Sequence, residues 1–147
     1  MDLLALRWAA ATAVGSVLLT AVIGLGAEPV SEHEAQQVRL VIVTQLQALD
    51  DDDADGAFET TTPAVREAIG NPWHFLVMMR LAYPMVYHST SVTFMRAELL
   101  GGAVLQLTEI LDEQGKSWLV LFSLERQPDA AWRIDGCTAV ENRWLSI

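Results

Sequence analysis

The sequence is poor in cysteine and in positive charge, and both shortages restrict what the protein can be. The only cysteine is Cys137, so no disulfide within the chain is possible, and we expect this side chain to be buried as a small apolar group. Nine Lys and Arg residues stand against 19 Asp and Glu residues, which gives a formal net charge of −10 at pH 7. Such a surface repels phosphate backbones, so nucleic acid is not expected as a partner.

Signatures of catalysis and of metal binding are also missing. The chain has no G-x-S-x-G nucleophile motif, no phosphate-binding loop and no dinucleotide fingerprint. Its histidines, His33, His74 and His88, do not have the spacing of a zinc site, and no second cysteine could complete one. The sequence therefore predicts no cofactor, and it favours a binding function over an enzymatic one.

A long uncharged run is present near the N-terminus. Residues Trp8–Ala27 carry no charged side chain, and at ~1.5 Å per residue a helix of that length reaches about 30 Å, the thickness of a bilayer core. Arg7 precedes the run and Glu28 follows it, so the positive-inside rule places the rest of the chain outside the cytoplasm. We predict a signal anchor or a cleaved signal peptide in 1–27 and a single extracytoplasmic domain in 28–147. The run exceeds the ~7–15 residues of a secretory signal, which favours the membrane anchor.

Helix-start signals dominate the first half of that domain. Ser31 and Glu34 form a capping box, in which the serine oxygen accepts from the Glu34 amide and the carboxylate reaches back. Apolar residues at helical spacing then predict a helix to about Leu49, and a short helix is expected around 54–60. Two further helices are expected to begin at pairs of an N-cap residue and a proline, namely Thr62-Pro63 and Asn71-Pro72.

The hydrophobic period changes after Pro84, a residue that is expected to prevent further helix. From Ser91 onward, apolar and polar residues alternate as in a strand, and Gly101-Gly102 is typical of a two-residue hairpin turn. Four strands are expected, one before that turn and three over Ala103–Leu111, Ser117–Glu125 and Trp132–Val140. The order predicts an α+β fold, in which helices pack on a curved antiparallel meander of about four strands.

Several short motifs, in this order along residues 36–140, are those of one known family. They are Gln45 with Ala48, Ala57-Phe58, Thr62-Pro63-Ala64-Val65, Ile69-Gly70, Phe75 with Met78, Tyr83-Pro84-Met85-Val86 and Trp132-Arg133-Ile134-Asp135-Gly136-Cys137. The chain thus resembles the small exported bacterial domains catalogued as domain of unknown function 4864. The resemblance implies export and the nuclear-transport-factor-2-like fold, in which helices close a curved sheet into a cone. It implies no activity.

The acidic stretch after the first helix resembles the opening of a calcium loop. Asp51, Asp53, Asp55 and Gly56 have the D-x-D-x-D-G pattern of an EF-hand, but Thr62 occupies the twelfth position, where a bidentate glutamate should stand. Two interpretations remain, a weak calcium site or a solvated corner whose aspartates cap the following helix. The missing glutamate favours the corner.

A pocket between sheet and helices is the other candidate site, because related folds often enclose one. The polar residues that could face such a pocket are Tyr83, Tyr87, His88, Arg133 and Asp135. An Asp or His in an apolar cavity beside a tyrosine hydroxyl could transfer a proton. Alternatively, Arg133 and Asp135 lie on one strand face and pair with each other or with other surface charges.

Three functional hypotheses follow from the sequence. The favoured one is a non-catalytic domain near the membrane that binds a small apolar ligand or another protein. The second is a small acid–base enzyme, an isomerase or hydrolase, built on Asp135, His88 and Tyr87. The third is a homodimer whose sheet faces pack together.

Overall fold

The computed structural model describes residues 28–143, and the predicted anchor or signal in 1–27 lies outside the described residues. Within 28–143, no helix is long and apolar enough to span a membrane. The helices are α1 (Glu32–Asp50), α2 (Ala54–Glu59), α3 (Pro63–Ile69), α4 (Pro72–Ala82) and α5 (Pro84–Tyr87). The strands are β1 (Glu28–Pro29), β2 (Ser91–Leu100), β3 (Ala103–Leu111), β4 (Ser117–Arg126) and β5 (Trp132–Glu141).

Side-chain caps set the helix starts, as the sequence predicts. Ser31 Oγ accepts from the Glu34 amide at 3.3 Å and donates to the Glu34 carboxylate at 2.8 Å. Thr62 Oγ1 accepts from the amide of Val65 at 3.3 Å, and Asn71 Oδ1 accepts from that of His74 at 2.9 Å. Each cap satisfies an amide that the first helical turn leaves without a partner.

Pro84 does not prevent helix, contrary to expectation. It is the first residue of α5, a single turn in which the amide of His88 donates to the Pro84 carbonyl at 3.0 Å. Proline is tolerated at this position because the first helical amide has no intrahelical acceptor. Pro84 therefore ends α4 and starts a new turn of helix in a different direction.

The sheet is an antiparallel meander in the order β1-β2-β3-β4-β5. Gly101 and Gly102 form the β2–β3 turn with φ values of 58° and 81°, a conformation that glycine adopts without strain. The fifth strand, β1, is a difference from the four that the sequence predicts. It has two residues, which pair with Leu99 and Glu98 of β2, and so short a strand leaves no alternating pattern to detect.

A bulge in β2 breaks the expected alternation of that strand. The pairing with β3 shifts between Phe94 and Ala97, so Ala97 and Leu99 pack against the core, whereas a regular strand would place Arg96 and Glu98 there. The buried side chain of Gln106 donates through Nε2 to the carbonyls of Met95 at 3.2 Å and of Arg96 at 3.4 Å. Gln106 thereby supplies a hydrogen-bond donor to two carbonyls that the bulge separates from the pairing of β2 with β3.

The helices cover one face of the sheet, and large side chains fill the space between them. Phe122 on β4 is fully buried, and burial of such a side chain stabilises the fold by about 1.5–3 kcal/mol. The buried side chains from strands β3–β5 that share this core are Val104, Ile110, Val120, Phe122, Leu124, Trp132, Ile134, Cys137 and Ala139. We call this surface the inner face of the sheet.

The segment between α2 and α3 protects part of the outer edge of β5. The Ile134 amide donates to the Thr60 carbonyl at 2.7 Å, and the Thr62 amide donates to the Ile134 carbonyl at 3.0 Å. Farther along the strand, the hydroxyl of Tyr83 donates to the Cys137 carbonyl at 3.3 Å. Exposed edges recruit other strands, so these contacts protect β5 against edge-to-edge pairing.

Candidate functional site

The acidic turn between α1 and α2 works as a helix cap. Asp53 is the N-cap of α2, and its Oδ1 accepts from the amide of Gly56 at 3.0 Å. A Cβ at position 56 would collide with the Asp53 carboxylate, which explains the glycine without a metal. Asp51 is the C-cap of α1, and residues 28–143 contain no group of three or more His, Cys, Asp or Glu side chains that could hold a metal ion.

Tyr83, the first of the pocket candidates, is a buried structural residue. Its side chain is 1% exposed, and its hydroxyl donates to the backbone of β5. Burial and the neighbouring Cys137 raise the pKa of the phenol well above its usual value of 10.0. Burial likewise raises the pKa of the Cys137 thiol, so neither group supplies a nucleophile near neutral pH.

Tyr87 belongs to a polar network that joins the α1–α2 turn to α4 and α5. Its hydroxyl donates to Oδ1 of Asp52 and accepts from Nη2 of Arg80 at 3.0 Å. The Arg80 guanidinium lies 5.2 Å from the centre of the Tyr87 ring, and it also contacts Asp52 at 3.4 Å. Asp52 has φ 54°, a left-handed conformation in which its side chain reaches this network.

The network changes the proton affinities of its members in opposite directions. The hydrogen bond from Tyr87, with the charge and hydrogen bond of Arg80, lowers the pKa of Asp52 below its usual value of 3.8. Burial, followed by the hydrogen bond to Asp52, raises the pKa of Tyr87. Both shifts keep the pair as an ionised carboxylate and a neutral phenol at neutral pH, which suits a structural contact better than proton transfer.

His88 lies beside this network at the border of a small cleft. Its ring meets that of Tyr87 edge to face at 4.7 Å between centroids, and its Nδ1 is 3.8 Å from Oε1 of Glu113. The cleft has a volume of about 170 Å³ and also includes Asp112 and Trp118. Trp118 Nε1 donates to Asp112 Oδ2 at 3.0 Å, and this bond, with two backbone amides, lowers the pKa of Asp112. We call this cleft the rim cleft.

Arg133 and Asp135 lie elsewhere, on β5, and they do not pair with each other. Asp135 accepts from the hydroxyl of Thr62 at 3.1 Å, whereas Nη1 of Arg133 donates to the carbonyl of Trp132 at 2.9 Å. No ion pair among residues 28–143 includes Arg133 or Asp135. The five candidates therefore do not share one site. Tyr83 lies at the buried edge of β5, Tyr87 in the network with Asp52 and Arg80, and His88 at the rim cleft. Asp135 contacts Thr62, and Arg133 lies apart from both tyrosines on β5.

An open groove lies between α1, α2 and β5. It has a volume of about 320 Å³, within the range of small-molecule sites. Its lining residues are Leu40, Val41 and Thr44 of α1, Gly56, Glu59 and Thr60 beside α2, and Arg133 of β5. We call it the α1–β5 groove. It combines an apolar wall with one side chain of each charge.

Arg133 is the only member of this lining that the sequence identifies as a candidate. The others are missed because the α1–α2 angle, which brings Gly56 and Glu59 beside Leu40, is not encoded in any local pattern. One signal was present, since Leu40 lies outside the apolar stripe of α1 and is 67% exposed. The partners of Tyr87 and His88, which are Asp52, Arg80 and Glu113, were also missed because they come from distant segments.

Comparison with known proteins gives the chain a family. The model of the family named domain of unknown function, DUF4864, matches residues 31–147. No curated protein matches the chain. Among solved structures, Aln2 from a Streptomyces species is similar with a TM-score of 0.52 and 16% identity, over 81% of this chain and 98% of that one.

A second solved structure is described as a candidate dehydratase of the NTF2-like family from Streptomyces avermitilis. It has a TM-score of 0.51 and 15% identity, over 76% of this chain and 99% of that one. Similarity at such identity shows the fold alone. The predicted family and the predicted fold are both confirmed, and the chain belongs to the DUF4864 family with an NTF2-like fold.

Proposed function

We propose that this protein is a non-catalytic, extracytoplasmic domain that binds a small, largely apolar ligand in the α1–β5 groove. The groove is the observation that carries the proposal, because its volume, its apolar wall and its few polar groups are those of ligand sites. Leu40 is 67% exposed there, although it sits on a helix whose opposite face is fully buried. An occupant that covers Leu40 and Val41 removes apolar surface from water, at about 25 cal/mol for each Å².

The alternative of an acid–base enzyme requires Asp135, His88 and Tyr87 to face one space. Asp135 is hydrogen-bonded to Thr62, whereas His88 and Tyr87 contact Glu113 and Asp52. A proton relay needs its members within hydrogen-bond reach of one substrate, so this separation favours binding over catalysis. The candidate-dehydratase description of one similar structure belongs to that protein, and the shared fold transfers no chemistry.

The proposed location rests on the apolar run Trp8–Ala27 and on the charges beside it. Membrane fractionation of the host, followed by determination of the mature N-terminus, tests it. We expect the full chain in the membrane fraction, with its domain outside the cytoplasm. A mature N-terminus near Ala27 or Glu28 would instead establish a cleaved signal peptide.

Binding itself is tested with a neutral apolar probe on the full chain. N-phenylnaphthylamine fluoresces in apolar surroundings, and we expect saturable enhancement that Leu40→Glu removes. The matched control is Leu81→Glu on α4, because Leu81 is also exposed, at 77%, but does not line the groove. Both variants retain segment 1–27, so probe held by that segment contributes equally. Equal enhancement in both variants would exclude the groove as the site.

A homodimer is a second candidate, and one observation favours it. The sheet face opposite to the helices, which we call the outward face, carries half-buried apolar side chains on neighbouring strands, namely Leu105, Leu107, Leu119 and Val140. Two copies packed through this face would cover those side chains. Light scattering of the full chain tests this candidate, and a monomer at high protein concentration would count against it.

A further inference from the structure

Arg133 is one of three described basic residues, with Arg66 and Arg126, that form no ion pair within residues 28–143. Eight of the nine basic residues lie within residues 28–143, and five of these eight form ion pairs, namely Arg39, Arg80, Arg96, Lys116 and Arg143. Arg133 forms none with the described acidic side chains, although it is half-buried and the chain carries ten excess negative charges. Water screens a half-buried guanidinium less than an exposed one, so a charge-assisted hydrogen bond from a carboxylate is stronger there.

The structure holds this guanidinium in place without saturating it. One of the five N–H groups of its guanidinium donates to the Trp132 carbonyl at 2.9 Å, and the side chain of Arg133 forms no other hydrogen bond within residues 28–143. This bond ties one nitrogen of the guanidinium to the backbone of the preceding residue. The remaining N–H groups form a rigid fork of the kind that binds a carboxylate through both oxygens.

Glu59 is the opposing charge in the groove, and its position weakens its effect. It is the last residue of α2 and is exposed, so water screens its carboxylate. Arg133 is half-buried, on the strand whose Ile134 amide donates to the Thr60 carbonyl. A ligand in the groove therefore meets an apolar wall along α1 and a half-buried cation on β5.

From these contacts we infer that the α1–β5 groove takes an amphipathic carboxylate, with the carboxylate on Arg133 and the apolar tail on Leu40 and Val41. This inference rests on the proposed binding function, and it adds the chemical class of the ligand.

Three probes that share one tail and differ in the head group test this inference, namely decanoate, decanol and decylammonium. Each is titrated into the full chain below its critical micelle concentration, and displacement of N-phenylnaphthylamine reports binding. We expect decanoate to bind about tenfold or more tightly than decanol, because hydrogen bonds to charged groups are the stronger ones. Arg133→Gln should abolish this preference.

Arg126→Gln is the matched control, because Arg126 on β4 is exposed, lacks an ion pair within residues 28–143 and does not line the groove. It removes the same charge and should preserve the preference for decanoate. Equal affinity for decanoate and decanol, or tighter binding of decylammonium, would overturn the carboxylate assignment while the binding function stands. Absence of binding by all three probes would overturn both. Thermal unfolding of each variant confirms that the fold is retained.

Discussion

The two faces of helix α1 both carry apolar residues, but these are buried on one face and exposed on the other. The face toward the sheet carries Val38, Ile42 and Leu49, all fully buried in the common core. The other face carries Leu40, which is 67% exposed, and Val43, which is 38% exposed. The first set contributes to folding through burial, whereas the second contributes little, because its surface stays in water. Apolar residues that do not stabilise the fold are therefore the ones open to a ligand.

The difference between the two faces is tested most directly by truncating one residue on each of them. Ile42→Ala should lower the free energy of unfolding by about 2–5 kcal/mol, because it leaves a cavity in a packed core. Leu40→Ala should change it by no more than about 0.5 kcal/mol, as is usual for exposed positions. Urea denaturation of both variants measures the difference. A comparable loss in Leu40→Ala would mean that the groove side of α1 is packed in the folded protein.

A smaller effect is expected where the groove meets the edge of β5. Thr62 caps α3 and donates to Asp135, so Thr62→Ala removes a cap and leaves a carboxylate without its partner. The free energy of unfolding should fall by about 1 kcal/mol. Thr62→Ser retains the hydroxyl and serves as the control. If the serine variant loses as much stability as the alanine variant, the methyl group rather than the hydroxyl is responsible.

The network at Tyr87 should show the smallest effect on stability, and only in a defined range of pH. Its bonds lower the pKa of Asp52 in the folded state, so this carboxylate contributes stability above its ordinary value of 3.8. That contribution disappears as the pH falls through the lowered pKa. Asp52→Asn should therefore be less stable than the natural protein at neutral pH, and the two should converge in acid.

Chemical denaturation from neutral to acidic pH checks this expectation. Tyr87 acts in the alkaline range instead. Its pKa is raised in the folded protein, so the neutral phenol contributes stability below pH 10.0, and this contribution is lost as the pH rises through the raised value. A stability difference between the two proteins that stayed constant into strong acid would assign the effect of Asp52→Asn to packing rather than to charge.

Local patterns in the sequence predict most of the elements of this fold. The capping box at Ser31, the Thr-Pro and Asn-Pro pairs and the Gly-Gly turn locate helix starts and strand ends within a residue or two. These signals succeed because each depends on hydrogen bonds or dihedral angles of neighbouring residues. The bulge in β2 is missed because its main support, Gln106, comes from the next strand.

The candidate site is predicted far less well, because its residues come from elements that are distant in the sequence. Arg133 is identified in advance, but the groove arises from three elements whose relative placement depends on packing. The predicted convergence of Asp135, His88 and Tyr87 also depended on tertiary placement, and the structure gives each a different partner. Residue types alone indicate which groups are reactive, whereas contacts between distant segments decide which are available.

Mapping of bound decanoate by nitrogen-15 NMR on the full chain tests the central claim most directly. If the α1–β5 groove is the ligand site, saturable shift changes concentrate at the amides of Gly56, Thr60 and Arg133, and Leu40→Glu removes them. Shift changes concentrated instead at Gln114 and Trp118 of the rim cleft, or at Leu107 and Leu119 of the outward face, would contradict the account.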